Sequence, residues 1–155
     1  MPLTYALITG ATGGIGAALA EALAAEGRSL ILTGRRQPVL EELQARLQRP
    51  GIEVQTLAAD LNRAGGAASL LAELQARDWP VDLLVNNAGI GTGGTFSDLD
   101  PERELEIVRV NVAALVELTR GCLPGMRERG RGSIVNVAST ASFQPVPGLA
   151  TYAAS

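Results

Sequence analysis

The residues best suited to chemistry stand near the start of the chain, where Thr9-Gly10-Ala11-Thr12-Gly13-Gly14-Ile15-Gly16 joins an apolar run to a helical pattern. A turn of this kind must leave a strand sharply, bring backbone up to a diphosphate and pack a helix close to a strand; glycine serves all three needs. The helix N-terminus beyond it presents free N–H groups and partial positive charge to phosphates. Gly10, Thr12, Gly14, Ile15 and Gly16 are therefore candidate dinucleotide-binding residues, an ordinary flexible turn being the alternative. No Lys-Ser or Lys-Thr pair follows the glycines, which excludes a P-loop. After the second apolar run comes Thr33-Gly34-Arg35-Arg36. A carboxylate there would bind the ribose 2′-hydroxyl of NAD, whereas guanidinium groups grip a 2′-phosphate. Arg35 and Arg36 thus point to NADP(H) in preference to NAD(H), against the alternative of two exposed loop arginines.

Other chemistries are short of residues. The chain of 155 residues has one cysteine, Cys122, and no histidine. It offers no internal disulfide and little for a transition-metal site, so no metal is expected. Cys122 lies in an apolar helical stretch and reads as packing. The net charge is −3, and the one arginine cluster (Arg127, Arg129, Arg131) alternates with Glu128 and glycines, which reads as a solvated loop. A nucleic-acid surface is not expected. The opening MPLTYALITG lacks the basic and long apolar regions of a signal peptide. No apolar run approaches the ~20 residues of a membrane helix, so neither membrane insertion nor export is expected, and the cytoplasm is the expected location.

The elements that must position these residues alternate along the chain. Apolar or alternating runs predict strands over 5–9, 30–33, 52–57, 81–85 and 133–137. Helical spacing predicts helices over 15–26, 39–47, 67–77 and from 101 to about 122, where Pro124 and Gly125 disturb the pattern. Gly27 is placed to close the first helix, and Asp100-Pro101 to cap the fourth. Another helix begins near Ala150. Strands that read as continuous apolar runs between helices imply an α/β fold with a parallel sheet covered on both faces. With 46% hydrophobic residues and no linker or repeat, one compact domain over 1–155 is expected.

With these elements in order, the chain resembles the short-chain dehydrogenase/reductase family from end to end. Thr9-Gly10-x-x-x-Gly14-Ile15-Gly16 matches that family's TGxxxGIG turn. Asp60-Leu61 matches the aspartate and apolar residue that flank the adenine, although Asp60 could equally cap the next helix. Asn86-Asn87-Ala88-Gly89 matches the NNAG segment, which implies that Asn87, Ala88 and Gly89 lie on the cofactor. Asn111, Ser139 and Tyr152 fall where the family keeps three members of its Asn-Ser-Tyr-Lys tetrad. Gly10, Gly13 and Gly16 also satisfy the GxxGxxG of a longer, sugar-nucleotide-modifying branch, but NNAG and the Ser-to-Tyr spacing of 13 favour the shorter one. The residues support these places independently. Asn111 shares an apolar helical stripe with Ile107, Ala114 and Leu115, and a buried amide needs partners. Ser139 follows the fifth strand at its carboxyl end, where ligands of open α/β sheets bind.

The resemblance implies a Rossmann-type doubly wound fold and hydride transfer between a nicotinamide and a small-molecule carbonyl or alcohol. In it Tyr152 is the acid or base, Ser139 hydrogen-bonds the substrate oxygen, and Asn111 holds a water on the proton path. A free tyrosine titrates near ~10, and the family helps it with a lysine four residues on. Here Tyr152-Ala153-Ala154-Ser155 closes the chain. The resemblance therefore implies a truncated chain with five strands, lacking the family's later strands and helices. Such a chain is expected to expose an apolar edge at Ile134, Val135 and Val137, to be poorly stable, and to have little dehydrogenase activity alone. A full-length form is expected to be a homo-oligomer. A non-catalytic nucleotide-binding fragment and an interaction protein are the competing readings.

Overall fold

The computed structural model describes residues 3–155. The apolar runs become five strands: β1 (Tyr5–Thr9), β2 (Ser29–Gly34), β3 (Val54–Ala58), β4 (Val81–Asn86) and β5 (Ser133–Asn136). They pair in parallel in the order β3-β2-β1-β4-β5. Between them lie α1 (Gly14–Ala25), α2 (Gln37–Leu47), α3 (Gly66–Ala76), α4 (Pro101–Val108) and α5 (Ala114–Glu128), with α6 (Ala150–Ala154) last. Side chains alternate across the strands. Ala6, Ile8, Leu30 and Leu32 pack with Ala20 and Ala24 of α1 and Leu40 and Leu43 of α2. Leu7, Ile31 and Leu84 pack on the other face with Leu70 and Leu74 of α3 and Leu118 and Cys122 of α5. The result is the Rossmann-type three-layer α/β sandwich expected of the sequence. Strand order reverses between β1 and β4, which opens a crevice at their carboxyl ends.

Local chemistry sets the joints. Gly27 follows α1 at φ 83°, its N–H bonded to the Ala24 carbonyl at 2.9 Å, while the Arg28 N–H reaches the Leu23 carbonyl at 3.0 Å. This pair of bonds is the Schellman stop. Asp100 caps α4 by accepting from the Glu102 N–H at 2.9 Å, with Pro101 at the first helical position.

Several expectations need correction. The fourth helix does not stop near Cys122. It continues as α5 to Glu128 with Pro124 inside it, because Leu118, Cys122 and Met126 bury one face and outweigh the single backbone bond that proline removes. Between α4 and α5 the chain makes a π turn, Arg109–Ala113, which the residue pattern does not announce. Arg129 is not part of a solvated loop: its guanidinium donates to the Val81 carbonyl at 2.6 Å, at the foot of β4. Strand β3 starts at Val54 rather than at 52, although Ile52 is buried.

Among the described residues no helix is long and apolar enough to cross a membrane, and no cluster of three or more His, Cys, Asp or Glu is placed to hold a metal ion. Among the described residues strand β5 pairs only with β4, and Val135 is 45% exposed.

Candidate active site

At the carboxyl end of β1 the glycine turn packs against the segment after β4. A Cβ on Gly16 would lie 2.4 Å from the Gly10 carbonyl oxygen and 2.5 Å from Asn87 Nδ2. Gly10 has φ +67°, and a Cβ there would meet Ala88 Cα at 2.9 Å. Asn87 locks this contact by donating from Nδ2 to the carbonyls of Thr9 and Gly10, at 2.9 and 3.3 Å. The Thr9 hydroxyl accepts the N–H groups of Asn87 and Ala88, both at 2.9 Å, and faces the Val85 carbonyl at 3.3 Å. Helix α1 starts beyond the turn with no capping side chain, so its first N–H groups are available to an anion. Gly13 and Gly14 face open space.

This turn floors a cleft of about 700 Å³. Its far wall holds Arg35, Arg36, Asp60, Leu61 and Asn62 from the ends of β2 and β3. Arg36 donates to the Thr12 carbonyl at 2.9 Å, so one guanidinium braces the glycine turn from the side. Asp60 is not the cap of α3. Gly65 holds that position in a left-handed conformation, and Asp60 Oδ1 instead accepts the Asn62 N–H at 3.0 Å within its own turn.

A second cleft, of about 590 Å³, adjoins the first and shares Ile15 and residues 87–91 with it. Asn111, Ser139 and Tyr152 all line it. Asn111 sits in the π turn and spends its whole amide there: Oδ1 accepts the Ile90 N–H at 2.9 Å, and Nδ2 donates to the Ile90 carbonyl at 3.0 Å and to Ser155 Oγ at 2.9 Å. Ser139 Oγ accepts the Ala141 N–H at 3.2 Å, so it caps the short turn Thr140–Phe143 while facing the cleft. The Tyr152 ring lies over Gly91, where an added Cβ would come within 3.1 Å of Cδ2. Of the residues singled out from the sequence, only Gly16 lies behind the two clefts rather than on them.

The sequence profile of the short chain dehydrogenases matches residues 4–155. The chain belongs to the short chain dehydrogenase family. Relatives in this oxidoreductase family include the NADP-dependent 3-hydroxy acid dehydrogenase YdfG of Salmonella typhimurium, 36% identical over 96% of this chain and 59% of that protein. The D-beta-hydroxybutyrate dehydrogenase of Cupriavidus necator is 37% identical over 87% of this chain and 52% of that protein. Among solved structures, a short-chain dehydrogenase from Sphingobium yanoikuyae in complex with NADPH superposes with a TM-score of 0.90 at 36% identity, covering 98% of this chain and 59% of that one. The chain thus spans little more than half the length of the relatives it matches.

Sequence reasoning missed three contributors to this candidate site. Thr9 belongs to the glycine motif, yet its hydroxyl bonds are visible only once β1 and β4 are neighbours. Gly91 lies just past the NNAG segment, and its contact with Tyr152 spans elements far apart in sequence. Glu104, in α4, is 9% exposed and accepts hydrogen bonds from the hydroxyls of Thr92 and Thr151. Those two donors hold its carboxyl below the usual carboxylate range, Thr151 contributing more. An acid in the first turn of a helix ordinarily reads as a solvated partner of the helix dipole, which is why its burial went unseen.

Proposed function

We propose that residues 1–155 form one NADP(H)-binding unit that carries three of the catalytic groups of an oxidoreductase, interconverting a small-molecule carbonyl and its alcohol. The observation that carries this reading is the pair of adjoining clefts, with the glycine turn and two arginines on one and Asn111, Ser139 and Tyr152 on the other. When bound, the dinucleotide supplies or accepts the hydride. The amides of residues 10–16 would hold its diphosphate and residues 87–89 its central part. Asp60 and Leu61 would flank the adenine, with Arg35 and Arg36 at the ribose 2′-phosphate. Tyr152 would pass the proton, Ser139 would hold the substrate oxygen, and Asn111 would hold a water on the proton path.

Two observations favour NADP(H) over NAD(H). Both guanidinium groups line the first cleft at the end of β2. In addition, a Cβ at Gly34 would lie 2.7 Å from Thr12 Cγ2, so a carboxylate-bearing residue at the end of β2, which would select an unphosphorylated ribose, would have to displace the Thr12 side chain. The relatives named for NADP and NADPH agree with this choice. All 13 basic residues here are arginines. These 155 residues alone therefore lack a lysine to assist Tyr152 and would bind NADPH with little turnover. A cytoplasmic location fits the single buried, unpaired cysteine.

The test is a pair of fluorescence titrations with NADPH and NADH on the protein from its complete reading frame, followed by a carbonyl-reduction assay. The expected result is NADPH binding at least tenfold tighter than NADH, with turnover abolished by Tyr152→Phe. Tighter NADH binding would overturn the cofactor assignment, and an unaffected Tyr152→Phe variant the catalytic one.

A further inference from the structure

Three attachments converge on the loop after β4. Asn111 grips Ile90 through both its backbone groups. Two turns earlier on the same long helix, Glu104 accepts from the Thr92 hydroxyl. The Gly94 N–H donates to the Gly148 carbonyl at 2.9 Å, joining the loop to the residues just ahead of α6. Helix α6 packs on α4, where the Thr151 hydroxyl lies at Glu104, and one turn on Ser155 is bonded by Asn111. Between the gripped residues Ile90 and Thr92 lies Gly91, and on Gly91 rests the Tyr152 ring. Tyr152 itself stands next to Thr151.

We infer that Glu104 is a positioning residue for Tyr152: by bonding Thr92 and Thr151 together, its carboxylate fixes the loop after β4 against α6 and so sets the seat of the tyrosine ring. This role rests on the reading of Tyr152 as the proton-transfer group. Glu104 does not line either cleft, so it acts through its two hydroxyl partners. A carboxylate suits the task because it accepts two hydrogen bonds at once, and bonds to an ionised acceptor are stronger than neutral ones. An apolar residue could fill the space but could not bind both threonines. Small displacements of a reacting group cost rate steeply, on the order of 10²-fold per Å, so a loosened seat would appear in turnover before it appeared in cofactor binding.

The experiment compares wild type, Glu104→Ala, Glu104→Gln and Thr151→Val in the full-length protein. Three quantities are read: kcat for carbonyl reduction, the NADPH dissociation constant, and backbone hydrogen exchange without cofactor. Glu104→Ala is expected to lower kcat by about tenfold or more while the NADPH constant stays within about twofold. It should also speed exchange in residues 90–95 and 150–155 but not in residues 10–16. Thr151→Val should move the same quantities less, and Glu104→Gln, which keeps one acceptor and gains a donor, should recover part of the lost rate. Exchange that rises throughout the chain, or a fall in NADPH affinity matching the fall in kcat, would reduce Glu104 to an ordinary structural residue and overturn the assignment. So would unchanged exchange in both segments. Should wild type neither bind NADPH nor reduce any carbonyl, the proposed function fails instead, and the exchange pattern alone still decides whether Glu104 makes the tie.

Discussion

Gly16 has no side chain because none would fit between the Gly10 carbonyl and the Asn87 amide. Gly16→Ala is expected to cost about 1–3 kcal/mol from overpacking and to weaken NADPH binding, because relief requires moving the very turn that would cradle the diphosphate. Gly13→Ala, whose Cβ would meet nothing within 4 Å, is the control: it should unfold at nearly the wild-type urea concentration, and equal losses for the two variants would show the close approach to be unimportant. A second residue-scale prediction concerns Cys122. Burial pushes its thiol up to about 11, so at pH 8 only roughly one in a thousand is thiolate. Iodoacetamide should leave the folded protein unlabelled and label it fully in denaturant. Rapid labelling of the native protein would contradict the packing role.

At the scale of elements, the parts set by neighbours in sequence were legible and the parts set by distant contacts were not. Glycines announced the exit from β1 and the stop of α1, and Asp100-Pro101 announced α4, since caps and turns are local chemistry. The strands that place Asn87 and Ser139 were legible from their apolar runs. The π turn was not, because nothing in Arg109–Ala113 forbids ordinary helix; the turn follows from the grip of Asn111 on Ile90 across the cleft. Pro124 misled for the opposite reason, tertiary burial overriding a local breaker. The tie between α4 and α6 carries a pH prediction. The Glu104 carboxyl is held below its ordinary value of 4.5 by the hydroxyls of Thr151 and Thr92, so it contributes stability that is present above that value and is lost as pH falls through the lowered one. Glu102 behaves likewise beside Arg109. Glu104→Gln has no such proton to take up. Its thermal midpoint should therefore fall less steeply than that of wild type between pH 5 and about pH 3, and parallel curves would exclude a linked carboxylate at this position.

For the molecule as a whole, the governing feature is a sheet whose β5 edge carries Val135 at 45% exposure, paired on one side only. A short apolar edge is a template for pairing with another chain. The isolated 155-residue chain should therefore self-associate with rising concentration, and Val135→Lys should lower its light scattering without loss of helical signal. Equal scattering from both chains would place the sticky surface elsewhere. The long helix that crosses this molecule also has a length tolerance built into it. Removing Val112 alone would let Pro101 to Glu128 rewind as uninterrupted α-helix, and the apolar residues that follow could still settle on the sheet. The amide of Asn111 would then swing away from Ile90. A one-codon deletion here should leave a protein that melts cooperatively yet has lost its chemistry, a frameshift-free way of parting the scaffold from its work.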